Sequence, residues 1–207
     1  ADPAPYVNEA AALAASWGLD LLELVAADGA IVSSAHWPAR FGYHNAWVTA
    51  PVEWKAEPPF LRREELAEDK VLAVMAVRVV MAGEKRLYVA GGQRLGDAFL
   101  ASLSLPAGMR AELSDAAAPE TRAGSLAALA APLVAGVRRE RREITRMVGE
   151  AEAAETVQAI PLFGRSRDLL AVLLVAGSRR EMVLLARFIR RTALVVGAAG
   201  ILLGVAL

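Results

Sequence analysis

Leu19-Asp-Leu-Leu-Glu-Leu-Val25, Ala26-Ala-Asp-Gly29 and Ala30-Ile-Val-Ser-Ser34 are the three consecutive pieces on which the reading of the chain turns. Two short apolar runs flank an Asp-Gly pair. Asp-Gly supplies the backbone freedom that a tight reversal needs, so the segment predicts a β-hairpin. The pattern returns twice. Val71 to Val80 and Lys85 to Gly91 flank Met81-Ala-Gly-Glu84, and Thr156 to Leu162 and Leu169 to Ala176 flank Phe163-Gly-Arg-Ser-Arg-Asp168. Met109 to Leu113 predicts a further short strand.

Between these hairpins the apolar period changes. Asn8 to Trp17 is Ala-rich and helical in propensity, with Gly18 as its stop. Gly96 to Leu103 reads as a short helix. Leu126, Leu129, Leu133, Val137, Ile144 and Met147 recur near helical spacing, which predicts one long helix from Ser125 to about Glu152, kinked at Pro132. Ala35 to Pro59 has no clear period and carries Pro38, Pro51, Pro58 and Pro59, so it reads as a long loop. Arg62 to Asp69 reads as a charged turn or short helix.

A weak internal repeat organises these elements. Val89-Ala-Gly-Gly-Gln-Arg94 and Val175-Ala-Gly-Ser-Arg-Arg180 lie 175 − 89 = 86 residues apart, each after a strand–turn–strand and before a helical stretch. A strand ending in Asp precedes each unit, Leu22 to Asp28 and Arg110 to Asp115. The expectation is an α+β chain with two small modules, each built on an antiparallel sheet.

Composition narrows the function classes. The 23 basic and 23 acidic residues balance, so no global field recruits nucleic acid. There is no cysteine, which removes disulfides, thiolate metal sites and cysteine nucleophiles. The two histidines, His36 and His44, are eight residues apart, without HExxH spacing, and neither GxSxG nor GxxxxGK[ST] occurs. No catalytic residue, metal ligand or cofactor is expected. The five arginines of Arg138-Arg-Glu-Arg-Arg-Glu-Ile-Thr-Arg146 read as a solvated helix face, with Arg139 and Glu143 linked at i, i+4.

At the other end of the chain, Thr192 to Leu207 carries no charge. A bilayer span needs roughly 20 apolar residues, so this run predicts a truncated membrane helix. Gly200 and Gly204 form a GxxxG within it, compatible with close helix pairing. A buried C-terminal helix is the alternative.

The order of elements, together with Leu22-Glu-Leu-Val-Ala-Ala-Asp-Gly-Ala-Ile-Val-Ser-Ser-Ala35, His36-Trp-Pro-Ala-Arg-Phe-Gly-Tyr43 and Arg179-Arg-Glu-Met182, resembles the extracytoplasmic Cache-type, PAS-like sensor region of NtrY-like bacterial transmembrane histidine kinases. The resemblance implies an N-terminal helix over 1–18, a membrane-distal module over 19–105, a membrane-proximal module over 106–180, and a signalling helix over 181–207 entering the membrane. It implies long flanking helices, a homodimer, a bacterial inner-membrane location with the sensor region periplasmic or extracellular, and a small-molecule ligand. The amino-acid-binding signature of such sensors is only loosely echoed by Arg40, Tyr43 and Trp47.

Candidate ligand contacts concentrate in the loop. His36 to Phe60 holds Trp37, Phe41, Tyr43, Trp47, Trp54 and Phe60, six of the chain's twelve aromatic residues, with Arg40 and both histidines. Aromatic walls with a few polar groups suit a small-molecule pocket. They equally suit rings that pack on a sheet and hold an irregular loop.

Arg78 is a separate candidate. Pairing Met81 with Glu84 sets Arg78 opposite Leu87, on a face with Leu72, Val74, Val80 and Val89. A lone guanidinium among apolar neighbours needs a partner: a ligand carboxylate or phosphate, Glu53, Glu57, a backbone carbonyl, or water. With Tyr88, the candidate set is His36, Trp37, Arg40, Tyr43, Trp47, Trp54, Arg78 and Tyr88. The alternative is a structural or protein-interaction ectodomain without a small-molecule ligand.

Overall fold

The Asp28-Gly29 reversal forms as its residue types require. Gly29 adopts φ 91°, a conformation open to glycine at little cost, and Asp28 Oδ1 accepts the Ala30 N–H at 3.0 Å. The arms are β1 (Leu21–Ala26) and β2 (Ile31–Ser34). The computed structural model describes Tyr6 and residues 8–115, 126–148 and 155–177.

Two compact units divide the chain. The first comprises Ala1–Phe99 with Phe163–Leu170; the second comprises Leu100–Leu162 and the chain from Ala171. In the first, α1 (Glu9–Trp17) precedes the β1–β2 hairpin, and β3 (Phe60–Glu65), β4 (Lys70–Ala82) and β5 (Lys85–Arg94) follow the long loop. The five strands run in the order β2-β1-β5-β4-β3, antiparallel at each of these pairings.

Both faces of this sheet are covered. Ala10 and Ala14 of α1 pack with Leu22, Leu24, Val32, Leu87 and Val89 on one face. On the other, Val25, Ile31, Val77, Tyr88 and Ala90 pack with Val48 and Trp54 from the loop. Burial on both faces explains why β1 reads as a continuous apolar run instead of an alternating one.

The helix α2 (Asp97–Ser102) has its first three residues in the first unit and its last three in the second. The sheet of the second unit takes β6 (Arg110–Asp115), β7 (Ile144–Val148), β8 (Glu155–Phe163) and β9 (Leu169–Gly177) in the order β6-β9-β8-β7. This repeats the first sheet without its β2, in an arrangement consistent with a PAS-like module. The repeated Val-Ala-Gly strings fall on the corresponding strands, β5 and β9. Two helices, α3 (Leu126–Leu129) and α4 (Ala131–Glu140), bury Leu126, Ala127, Leu133, Val134 and Val137. Glu112 on β6 accepts the N–H groups of Leu126 and Ala127 at 2.7 and 3.2 Å, satisfying two donors at the start of α3. The two antiparallel modules with flanking helices are therefore present.

Several local expectations are corrected. The long helix over 125–152 gives way to α3, α4 and β7. Pro132 occupies the first turn of α4, where its missing N–H is tolerated. Arg141, left-handed at φ 54°, ends the helix. Ile144 to Val148 then pairs with β8, so their spacing served a strand. The described flanking helices are accordingly short, and Glu143, beyond α4, accepts from Gln158 instead of pairing with Arg139.

Arg62 to Asp69 contains most of a strand, not a turn or helix, because Phe60 to Glu65 pairs residue by residue with β4. Charged residues suit an edge strand. The β4–β5 hairpin closes at Ala82↔Lys85, with Gly83 at φ 66° leading a two-residue loop. That register puts Arg78 opposite Val89, not Leu87. The shift is two residues, so Arg78 keeps the same face.

No helix among the described residues is long and apolar enough to cross a membrane. The expected span, Thr192 to Leu207, and the signalling helix over 181–207 lie outside the described residues.

Candidate functional site

Glu23 sits in the middle of the most apolar strand of the first sheet, with only 2% of its surface exposed. It pairs with Ser34 on β2 and Ala90 on β5. Side-chain alternation puts it on the face of Val25, Tyr88 and Ala90, beneath the loop. Placing an ionised carboxylate there is unfavourable unless it is hydrogen-bonded and paired.

The loop brings the partners. Asn45 N–H donates to Gly29 O at 2.8 Å, Gly42 N–H to Ile31 O at 2.8 Å, and Ile31 N–H to Tyr43 O at 2.8 Å. Residues 42–45 thus run along the β1–β2 reversal and carry Asn45 over β1. Asn45 Nδ2 donates to Glu23 Oε2 at 2.6 Å.

A short 3-10 turn, Pro38–Arg40, begins where the Trp37 N–H donates to Ser34 Oγ at 3.2 Å. It brings Arg40 Nη1 to 3.7 Å from Glu23 Oε1 and 4.0 Å from Glu64 Oε1. His36 Nε2 lies 3.6 Å from Glu23 Oε1. Arg62 Nε donates to Glu64 Oε2 at 2.9 Å.

The electrostatics follow from burial. Desolvation raises the Glu23 pKa above the usual carboxylate range, opposed by the Asn45 hydrogen bond and by Arg40. Desolvation, then the positive charges of Arg40 and Arg94, lower His36 to about 4. Imidazole is therefore neutral at pH 7, and its approach to Glu23 is not an ion pair. Glu23 Oε1, Asn45 Oδ1 and both ring nitrogens of His36 are buried without a hydrogen-bond partner. Native interiors pair such atoms almost always. A concentration of them in one cluster marks a functional candidate.

Arg40, Asn45 and Glu64 also line a cleft of about 300 Å³, with Trp47, Arg62 and Lys70 among its other walls. Below it the aromatic rings pack together. Trp47 is edge-on to Trp54 at 6.0 Å and to Phe60 at 5.9 Å, and Trp54 stacks on Phe60 at 5.9 Å.

Of the residues singled out in the sequence, His36, Arg40 and Trp47 come together here. Trp37 lies under the Arg40 guanidinium, 5.3 Å from it. Trp54 is fully buried and donates Nε1–H to Val48 O at 2.7 Å, and Tyr88 lies in the same apolar core. Tyr43 and Arg78 are exposed and do not line the cleft, and Arg78 Nη1 donates to the Val77 carbonyl at 3.0 Å.

Sequence reading missed Glu23, Asn45 and Glu64. For Glu23 a signal existed: one carboxylate inside an apolar strand. Asn45 and Glu64 carried none, because their roles depend on the path of the loop and the existence of β3. Among the described residues, no group of three or more His, Asp or Glu is placed to hold a metal ion.

No family model matches the chain, and no curated protein does. Among solved structures it is similar to the sensor domain of the V. cholerae histidine kinase DctB, at 10% identity and TM-score 0.45, over 86% of this chain and 79% of that one. It is also similar to the ligand-binding domain of the Pseudomonas aeruginosa PAO1 amino acid chemoreceptor PctB, in complex with L-Arg, at 15% identity and TM-score 0.36, over 84% and 72%.

Proposed function

We propose that the chain is the extracytoplasmic sensing region of a bacterial membrane receptor, and that its first unit binds a small molecule at the cleft lined by Arg40, Asn45 and Glu64, whose Arg40 and Asn45 contact the buried Glu23. One observation carries the reading. Buried polar atoms without partners converge where a loop held by a few backbone bonds covers a sheet. A ligand offering both a donor and an acceptor would complete that network and favour one position of the loop. It could bias signalling only by its differential affinity for the two arrangements.

The sequence resemblance extends this proposal to a homodimer tethered through Thr192–Leu207, with a histidine-kinase output on the other side of the membrane. In that arrangement no catalysis is assigned to the chain itself.

The test is a thermal-shift screen of the chain against amino acids, organic acids, purines and polyamines. Ligand binding to the native state raises the midpoint by mass action. A hit abolished by Arg40→Gln or Asn45→Ala, in protein that stays folded, supports the site.

A second reading is favoured by Trp54. Its ring fills the space under the loop and satisfies its own N–H on Val48, as in a module that works by protein contact. No shift across the panel would select that reading.

A further inference from the structure

A second cleft, of about 380 Å³, lies beyond Arg62 and Arg63, between β3 and the turn that follows β8. Its floor includes Trp47, Phe60 and Leu61, and its charged lining is Arg62, Arg63 and Arg165 against Asp168. These residues belong to the first unit, and Leu61 and Gly164 form a parallel bridge beside the cleft. We propose that it is a second binding site, adjoining the first cleft and sharing Trp47, Arg62 and Arg63 with it, for a small organic carboxylate with an apolar body.

The arginines carry the inference, because each is held before any ligand arrives. Arg62 lies 4.3 Å over the Trp47 ring, and its Nε donates to Glu64 at 2.9 Å. Arg165 lies 5.1 Å over Trp54 and 5.9 Å over Phe60, and its Nε donates to Glu57 Oε1 at 2.8 Å. In both, the bond uses Nε and leaves the terminal nitrogens of the guanidinium for a further acceptor. Arg63 Nη2 donates to the Leu170 carbonyl at 2.8 Å, tying β3 to the opposite rim.

A guanidinium anchored at Nε and laid on an aromatic ring has lost most of its rotamer freedom in advance, so little is lost again when it binds. Planar forks of this kind match the two oxygens of a carboxylate. Glu57, Glu64 and Asp168 balance the three arginines in charge, so the selection for a carboxylate comes from the terminal N–H donors that Arg62 and Arg165 still offer. The apolar floor selects a body behind the charge, which a bare inorganic anion lacks.

Titration of the full chain with benzoate and with uncharged benzamide, followed by calorimetry and tryptophan fluorescence, tests this. Benzoate should saturate and bind at least about tenfold more tightly than benzamide, the ratio that a charge-assisted contact supplies. Arg165→Gln should weaken benzoate at least about tenfold. Arg165→Lys keeps the charge but not the fork, and should weaken it as well, in protein that still unfolds in one cooperative transition.

Equal affinity for the two probes overturns the proposal, as does benzoate affinity unaffected by both Arg165 variants. No saturation by about 10 mM overturns it too. Benzoate binding that is lost in Asn45→Ala but intact in Arg165→Gln would assign the anion to the cleft lined by Arg40 and Asn45. That outcome overturns this site and leaves the proposed sensing function standing.

Discussion

Asn45 Nδ2 and Glu23 Oε2 meet at 2.6 Å across 22 residues of chain, and through this bond the aromatic loop is fastened to the most buried carboxylate of the first sheet. Asn45→Ala removes a donor from that carboxylate and leaves the acid in place. Hydrogen bonds to charged groups contribute about 1.5–3 kcal/mol, so urea unfolding should show a loss of about that size. Glu23→Gln keeps an acceptor for Asn45 and removes the buried acid. It should change stability by less than Asn45→Ala does.

Glu23 and His36 should give opposite pH dependences. The Glu23 pKa is raised in the fold, so its contribution is fully present below the ordinary carboxylate value and is lost as pH rises through the folded value. His36 is lowered from 6.5 to about 4, so its contribution is present above 6.5 and is lost as pH falls towards 4. Unfolding midpoints should show His36→Gln retaining more stability than the parent between pH 6.5 and 4. Glu23→Gln should lack the parent's loss as pH rises above the carboxylate range.

Gly92 on β5 faces Met75 across the sheet. A Cβ added there would press on the Met75 sulfur and on the Val74 carbonyl, and the carbonyl belongs to a paired strand that cannot move freely. Gly92→Ala should lower stability by about 1–3 kcal/mol, seen as a reduced denaturant midpoint.

Arg141 closes α4 at φ 54°, in the left-handed region that disfavours a side chain by about 1–2 kcal/mol. Its N–H already bonds Val137 O at 2.7 Å, a contact that any residue type can make. Arg141→Gly should therefore raise the thermal midpoint; a fall would mean that the arginine side chain matters more than its backbone strain.

Legibility differed from element to element for physical reasons. The three hairpins could be read because turn chemistry is local: Asp28-Gly29 and Gly83 act on their own backbone. The helix predicted over 125–152 failed because leucine and valine spacing near 3.6 was followed across Arg141. The break there is a backbone conformation with no residue signature. The rule that an isolated charge among apolar neighbours needs a partner is sound, but the sequence offered two such residues. It was applied to Arg78, which lies on the exposed end of the long β4–β5 arm and turns to its own Val77 carbonyl. It holds equally for Glu23, the centre of a strand covered on both faces, whose donor is Asn45.

The sequence by itself determined what depends on neighbours along the chain: the turns, the strands beside them, the two-module repeat and the aromatic richness of the 36–60 loop. Only the tertiary structure decided what depends on distance through space. It turned Phe60–Glu65 into an edge strand by giving it β4 to pair with, seated Trp54 in the core, and gathered His36, Arg40, Asn45 and Glu64 around Glu23. Burial and pairing are properties of packed elements, and no single stretch of the chain encodes them.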